Sequence, residues 1–205
     1  MARPRTLSRE DFTKAALKVV DADGLEALTF RRLGVELNVS YTAAYTYFES
    51  HADLVDALVG DLLTDILAGV DLSTGTPREK LMAMAILLRR ELSKHPRVIP
   101  AFLVSNSEVR GYPIATSAVL AIMEEAGLHG RDLSLAYRVL ESYIFGSTAF
   151  DFGAAPDHLK VRKASYARVN HPDFQELSRS VRAIEEHNEE AFAKGLSILL
   201  DGIGL

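Results

Sequence analysis

Apolar residues recur along most of the chain at spacings of three and four, the period of a helix with one face turned inward, and the alternation of strands hardly occurs. Phe12, Ala15, Ala16, Val19 and Val20 make the first such stripe. Ser8 precedes it as an N-cap with Asp11 three residues on, and Asp23-Gly24 ends it. Thr29 offers a second N-cap, Leu33 and Leu37 the inner face of a short helix, Gly34 a point of close approach, and Asn38 the left-handed residue that stops it. Ser40 caps a third short helix that turns Ala44 and Phe48 inward. A longer helix follows over about 51–72, with Leu54, Leu58, Leu62 and Ile66 every fourth residue. The stretch from Asp71 to Pro77 reads as a loop, after which Thr76-Pro77-Arg78-Glu79 opens another helix with its cap, its proline and its capping glutamate. The rest predicts helices at about 77–94, 97–106, 111–126, 131–154, 157–169, 173–184 and 186–202, broken at His95-Pro96, Gly127 to Gly130, Ala155-Pro156 and His171-Pro172. The expectation is an all-α chain: a small three-helix domain over 1–50, and a larger helical domain over 51–205 joined to it by the helix at 51–72.

Composition fits that picture and narrows the chemistry. The chain has 205 residues, 48% hydrophobic and 25% charged, enough to bury a core without a metal or a crosslink. It has no cysteine, which excludes disulfides and thiolate-ligated metal sites. No apolar run approaches the roughly 18 residues a membrane span needs, and the basic start runs into Arg9, Glu10 and Asp11 with no signal-type stretch, so a cytoplasmic location is expected. The net charge of −5 argues against coating nucleic acid through an average field, yet the first twenty residues carry five bases against two acids.

Two short helices joined by Asn38-Val39 have the outline of a helix-turn-helix, whose second helix enters the major groove. With Ala44 and Phe48 inward, Tyr41, Thr42, Tyr45 and Thr46 face outward. An outward face with no charge and two tyrosines is unusual for a helix that meets only water. Base readout falls to Tyr41, Thr42, Ala43 and Thr46, none of which supplies the paired donors that read guanine or the amide that reads adenine.

The run from Leu28 to Phe48, preceded by the helix of Phe12 to Asp23 and followed by one starting near His51, resembles the DNA-binding domain of the TetR family of bacterial transcriptional regulators. His171-Pro-Asp-Phe174 and the closing Leu-Leu-Asp-Gly-Ile203 are similar to tetracycline-repressor-type ligand domains. The resemblance implies an N-terminal helix-turn-helix DNA-binding domain with a basic arm and a C-terminal ligand-binding and dimerisation domain. It implies a repressor released from a palindromic operator on double-stranded DNA by a small-molecule effector. Thr29 and Arg31 stand where relatives meet DNA, Ser40 opens the reading segment, and Tyr45 stands where a tyrosine binds phosphate. Tyr47 replaces a common histidine and His51 a common lysine; both changes remove charge that Arg3, Arg5 and Arg9 would have to restore.

The final helix is apolar nearly all round, with Ala191 and Gly195 permitting close approach, so a homodimer through it and the helix at 131–154 is expected. That second helix mixes Arg138, Glu141 and Ser142 with Phe145, the make-up of a pocket wall. Opposite it the resemblance places Phe102, Ser105 and Asn106, on the short helix that gates the ligand site in similar proteins. Alternatively, Arg138 and Glu141 simply pair with each other. No catalytic signature, metal-ligand spacing or cofactor motif occurs, so no enzyme, metal or cofactor is expected. The rival reading is a helical small-molecule-binding or scaffolding protein that has lost DNA binding.

Overall fold

The computed structural model describes residues 7–104, 111–152 and 158–205, and among these the regular elements are all helical. They are α1 (Arg9–Asp23), α2 (Phe30–Leu37), α3 (His51–Ala68), α4 (Pro77–Lys94), α5 (Ile99–Val104), α6 (Gly111–Glu125), α7 (Gly130–Phe152), α8 (His158–Tyr166), α9 (Pro172–Leu177) and α10 (Val181–Gly202), with short 3₁₀ stretches between. Two compact units result, one of residues 1–69 with 97–117 and the other of 70–96 with 118–205.

The first unit is built on local signals. Ser8 and Asp11 close a reciprocal capping box, which fixes the start of α1. Phe12, Ala15, Ala16, Val19 and Val20 are all buried, as their spacing requires. At the other end of α1, Arg97 donates to the carbonyls of Asp21 and Ala22, a cation at the negative end of the helix. The sequence divides the chain at residue 50, whereas α3 belongs to the first compact unit. Leu54, Val55, Leu58 and Val59 are buried and α3 packs on α1, so the apolar face that looked like a connector completes this core. The helix stops at Ala68 rather than near Leu72 because Gly69 forms its cap.

The second unit has an apolar core with an ionic centre. Leu81, Leu92, Ile184, Leu196 and Leu200 are fully buried, and so is Arg89 of α4. The Arg89 guanidinium lies between the rings of Phe152 and Phe192, at 4.8 and 4.6 Å. It donates to Asp151 at 2.9 Å and through Nε to Glu189 at 3.0 Å. Arg162 of α8 holds the other Asp151 oxygen at 2.7 Å. Asp151 thereby ties α4, α7 and α8 together, and Glu189 joins α10 to them through Arg89.

Helix boundaries near the C-terminus also differ from the sequence reading. The helix predicted at 173–184 ends at Leu177, and α10 begins at Val181 because Ser180 accepts from the Ala183 N–H. Gly195 is occupied from within the chain: a Cβ there would overlap the Tyr143 hydroxyl, which donates to the Phe192 carbonyl at 2.8 Å. Its smallness serves this unit's own packing.

Candidate nucleic-acid interface

Four residues set the geometry of the turn. Thr29 caps α2 by accepting from the Arg32 N–H at 3.1 Å. Gly34 lets the following backbone cross close by: a Cβ there would lie 2.9 Å from the Val39 carbonyl and 3.0 Å from the Tyr41 nitrogen. Asn38 takes the left-handed conformation at φ 53° that ends α2. Ser40 then accepts from the Thr42 N–H at 3.3 Å and starts the second element.

That element, Tyr41–Thr46, is a 3₁₀ helix rather than the α-helix the sequence predicts. Its six residues include two threonines and two tyrosines, which favour the α-helix poorly, and the tighter turn appears in the bonds from Ala43 N to the Ser40 carbonyl and from Tyr47 N to the Ala44 carbonyl. The division of faces is as expected. Ala44 and Phe48 are buried, Tyr41 and Tyr45 are 51% and 58% exposed, Thr42 and Thr46 are exposed, and Ala43 is half-buried. Tyr45 stands edge-on to Phe30 at 4.7 Å, which holds the ring outward. The hydroxyls of Ser40 and Thr42 share a hydrogen bond of 2.8 Å.

Arg31 is exposed at the start of α2 and makes no ion pair among the described residues. Its neighbour Arg32 is committed to Glu36 and Asp23. Tyr47 and His51, placed by sequence on the DNA side, are bonded into the fold. The Tyr47 hydroxyl donates to the Leu7 carbonyl and its ring packs 5.2 Å from Phe12. The His51 Nε2–H donates to the Leu28 carbonyl at 2.7 Å, pinning the start of α3 to the loop before α2. Arg9, which sequence counted with the arm, is part of α1: it pairs with Asp53 at 3.1 Å and lies over the Phe48 ring. Arg3 and Arg5 lie outside the described residues.

Val35 was missed. It is 71% exposed on α2, one turn after Arg31. The periodicity that turns Leu33 and Gly34 inward already turns it outward, so the signal was present.

The residues assigned to a ligand wall are distributed as follows. Phe102 is half-buried on α5 in the first unit, and Ser105 and Asn106 lie outside the described residues. In the second unit Arg138 reaches Glu141 at 2.6 Å, and the Tyr137 hydroxyl donates to the other Glu141 oxygen at 3.0 Å. Arg138 and Ser142 are exposed and Phe145 is half-buried, so α7 brings Arg138 and Glu141 together as a pair and turns Ser142 to a different side from Ile144 and Thr148. Among the described residues no cluster of His, Asp or Glu could hold a metal, and no helix is long and apolar enough to cross a membrane.

Known proteins match both parts of the chain. Residues 12–58 match the family described as bacterial regulatory proteins, tetR family, and residues 70–204 match the tetracyclin repressor-like C-terminal domain. The chain is 25% identical over 212 residues to the HTH-type transcriptional repressor DrrR1 of Streptomyces coeruleorubidus, covering 97% of this chain and 77% of that protein. It shares its fold with the transcriptional regulator SCO7222, a TetR from Streptomyces coelicolor, at a TM-score of 0.77 and 23% identity over 96% of this chain and 97% of that one. It also shares its fold with ActR of the same organism in complex with (S)-DNPA, at a TM-score of 0.72 and 19% identity over 97% of each chain.

Proposed function

The chain belongs to the TetR family of bacterial regulatory proteins and is a transcriptional regulator with an N-terminal DNA-binding domain, and from that premise we propose that it represses transcription as a homodimer on a palindromic operator. A small molecule taken up by the C-terminal domain favours a conformation whose two reading segments no longer match the half-site spacing. It does this work in the cytoplasm, where operator DNA lies.

The observation that carries the DNA reading is the uncharged outward face of Tyr41–Thr46, held at the end of a capped, glycine-crossed turn within the matched family region. Arg31 is free to meet a phosphate from the start of α2, and Thr29, Ser40 and Tyr45 flank the same surface. The dimer is supported by the apolar side chains left over when the second unit has filled its own core. Leu135, Val139 and Phe150 of α7 and Ile198 of α10 are exposed, and Phe150 is 74% so. The effector reading is supported by the small molecule bound to ActR, a protein of the same fold. For the wall of that site within the second unit, Glu141 and Phe145 are the candidates, with Arg138 as the partner that fixes Glu141.

Selection of bound duplexes from a random-sequence pool tests this reading. The expected product is a two-fold symmetric sequence with half-sites about one helical turn apart or a multiple of it, bound by a species that sediments as a dimer at micromolar concentration. Enrichment of no sequence would favour the rival, a helical ligand-binding protein without DNA binding. The internal bonds of Tyr47 and His51 are what speak for that rival.

A further inference from the structure

The side chains from Ser40 to Phe48 are serine, tyrosine, threonine and alanine with one buried phenylalanine, and none is charged or carries an amide. Guanine is read in the major groove by two donors on one side chain, adenine by the donor and acceptor of one amide, and cytosine by a carboxylate. This segment has none of the three. It has methyl groups and single hydroxyls, and the hydroxyls are partly engaged: Thr42 with Ser40, and Tyr47 with the Leu7 carbonyl. Thr46 is exposed and makes no hydrogen bond among the described residues, so its methyl and hydroxyl are both presented. Ala43 adds a partly exposed methyl beside it. The feature of a base edge in the major groove that matches a methyl is the 5-methyl of thymine.

Resting on the DNA-binding reading above, we propose that this segment identifies its half-site through thymine methyl groups, with Thr46 supplying one of the contacts, and that it reads no guanine through N7. Arg31 lies on α2 outside the segment and pairs with no acid among the described residues, so a guanine contact made by it is separate from what the segment reads. An arm that reached the minor groove would leave the major-groove chemistry untouched.

The test uses the full chain and a duplex selected from the random pool. Each thymine of both half-sites is replaced in turn by deoxyuridine, each guanine separately by 7-deazaguanine, and affinity is measured by fluorescence anisotropy. At one or more thymines the loss of the methyl is expected to weaken binding about fourfold per half-site, or about 15-fold when both are changed. In an Arg31→Ala background every 7-deazaguanine duplex should bind within about twofold of the unmodified one. Thr46→Ser, which keeps the hydroxyl, should weaken binding to the parent duplex and abolish the deoxyuridine penalty at one thymine. Deoxyuridine without effect at every position overturns the proposal, as does a tenfold loss with 7-deazaguanine that persists in Arg31→Ala. A penalty that survives Thr46→Ser at every thymine overturns the role given to that residue. A pool that enriches no sequence overturns the DNA-binding reading itself, an outcome separate from all of these.

Discussion

In the unit that carries the helix-turn-helix, the fully buried large side chains among the described residues are Phe12, Phe48, Leu28, Leu33 and Leu54, and its described cations lie at or near the surface. In the other unit the bulkiest fully buried side chain is Arg89, 1% exposed, fixed by Asp151 and Glu189 and sandwiched between two phenylalanines. The first arrangement leaves the surface chemistry free to be specialised, since nothing in the core depends on it. The second ties α4, α7, α8 and α10 to one another through charge, so a shift of any one of them is felt at Asp151. On the function proposed above, the domain that reads DNA and the domain that takes up an effector have different kinds of core.

The largest effects separate the two cores. Phe48→Ala leaves a cavity among Phe12 and its neighbours and should lower unfolding free energy by about 3–5 kcal/mol. Arg89→Met leaves Asp151 short of a partner in a buried site and should cost about 3 kcal/mol or more. Urea denaturation measures both, and a loss under about 1 kcal/mol for Arg89→Met would remove the ionic centre from the account.

A smaller effect sharpens the packing of the second unit. Gly195→Ala sets a Cβ against the Tyr143 hydroxyl and should cost about 1–3 kcal/mol. Gly202→Ala, on the same helix, meets nothing within 4 Å and should be neutral or slightly stabilising. Equal melting temperatures for the two variants would show that Tyr143 moves aside freely.

The contrast also explains what the sequence could and could not tell. Stripes such as Phe12 to Val20 are local, and the caps at Ser8, Thr29, Ser40 and Thr76 each lie within three residues of the N–H they satisfy, so these helices and their starts were legible. The 3₁₀ form of Tyr41–Thr46 was not, because the apolar spacing of Ala44 and Phe48 suits either helix. The Arg89 network joins residues 62 and 100 apart in the chain, and no periodicity connects them. Tyr47 and His51 were assigned to the DNA side by resemblance, but their partners are backbone carbonyls 40 and 23 residues away. Long-range bonds to backbone leave no trace in composition or spacing.

The smallest effect concerns pH at the start of α4. The backbone N–H and hydroxyl of Thr76 both donate to Glu79 and hold its carboxyl below the ordinary value of 4.5. A carboxylate lowered in the folded state contributes stability above its unfolded value, and that contribution fades as pH falls through the lowered one. Glu79→Ala should therefore reduce the melting temperature slightly at neutral pH and by less at about pH 3. A difference that grows on acidification would contradict the sign.

The most direct test of the central claim is a paired measurement on the double variant Tyr45→Ala/Thr46→Ala: affinity for the selected duplex by fluorescence anisotropy, and unfolding midpoint in urea on the same preparation. Both side chains are exposed and the Tyr45–Phe30 ring contact is what the fold loses, so the expected unfolding free energy lies within about 1 kcal/mol of the parent, with a loss of tenfold or more in affinity. Unchanged affinity, or an affinity loss matched by a comparable loss of stability, would contradict the assignment of this face to DNA.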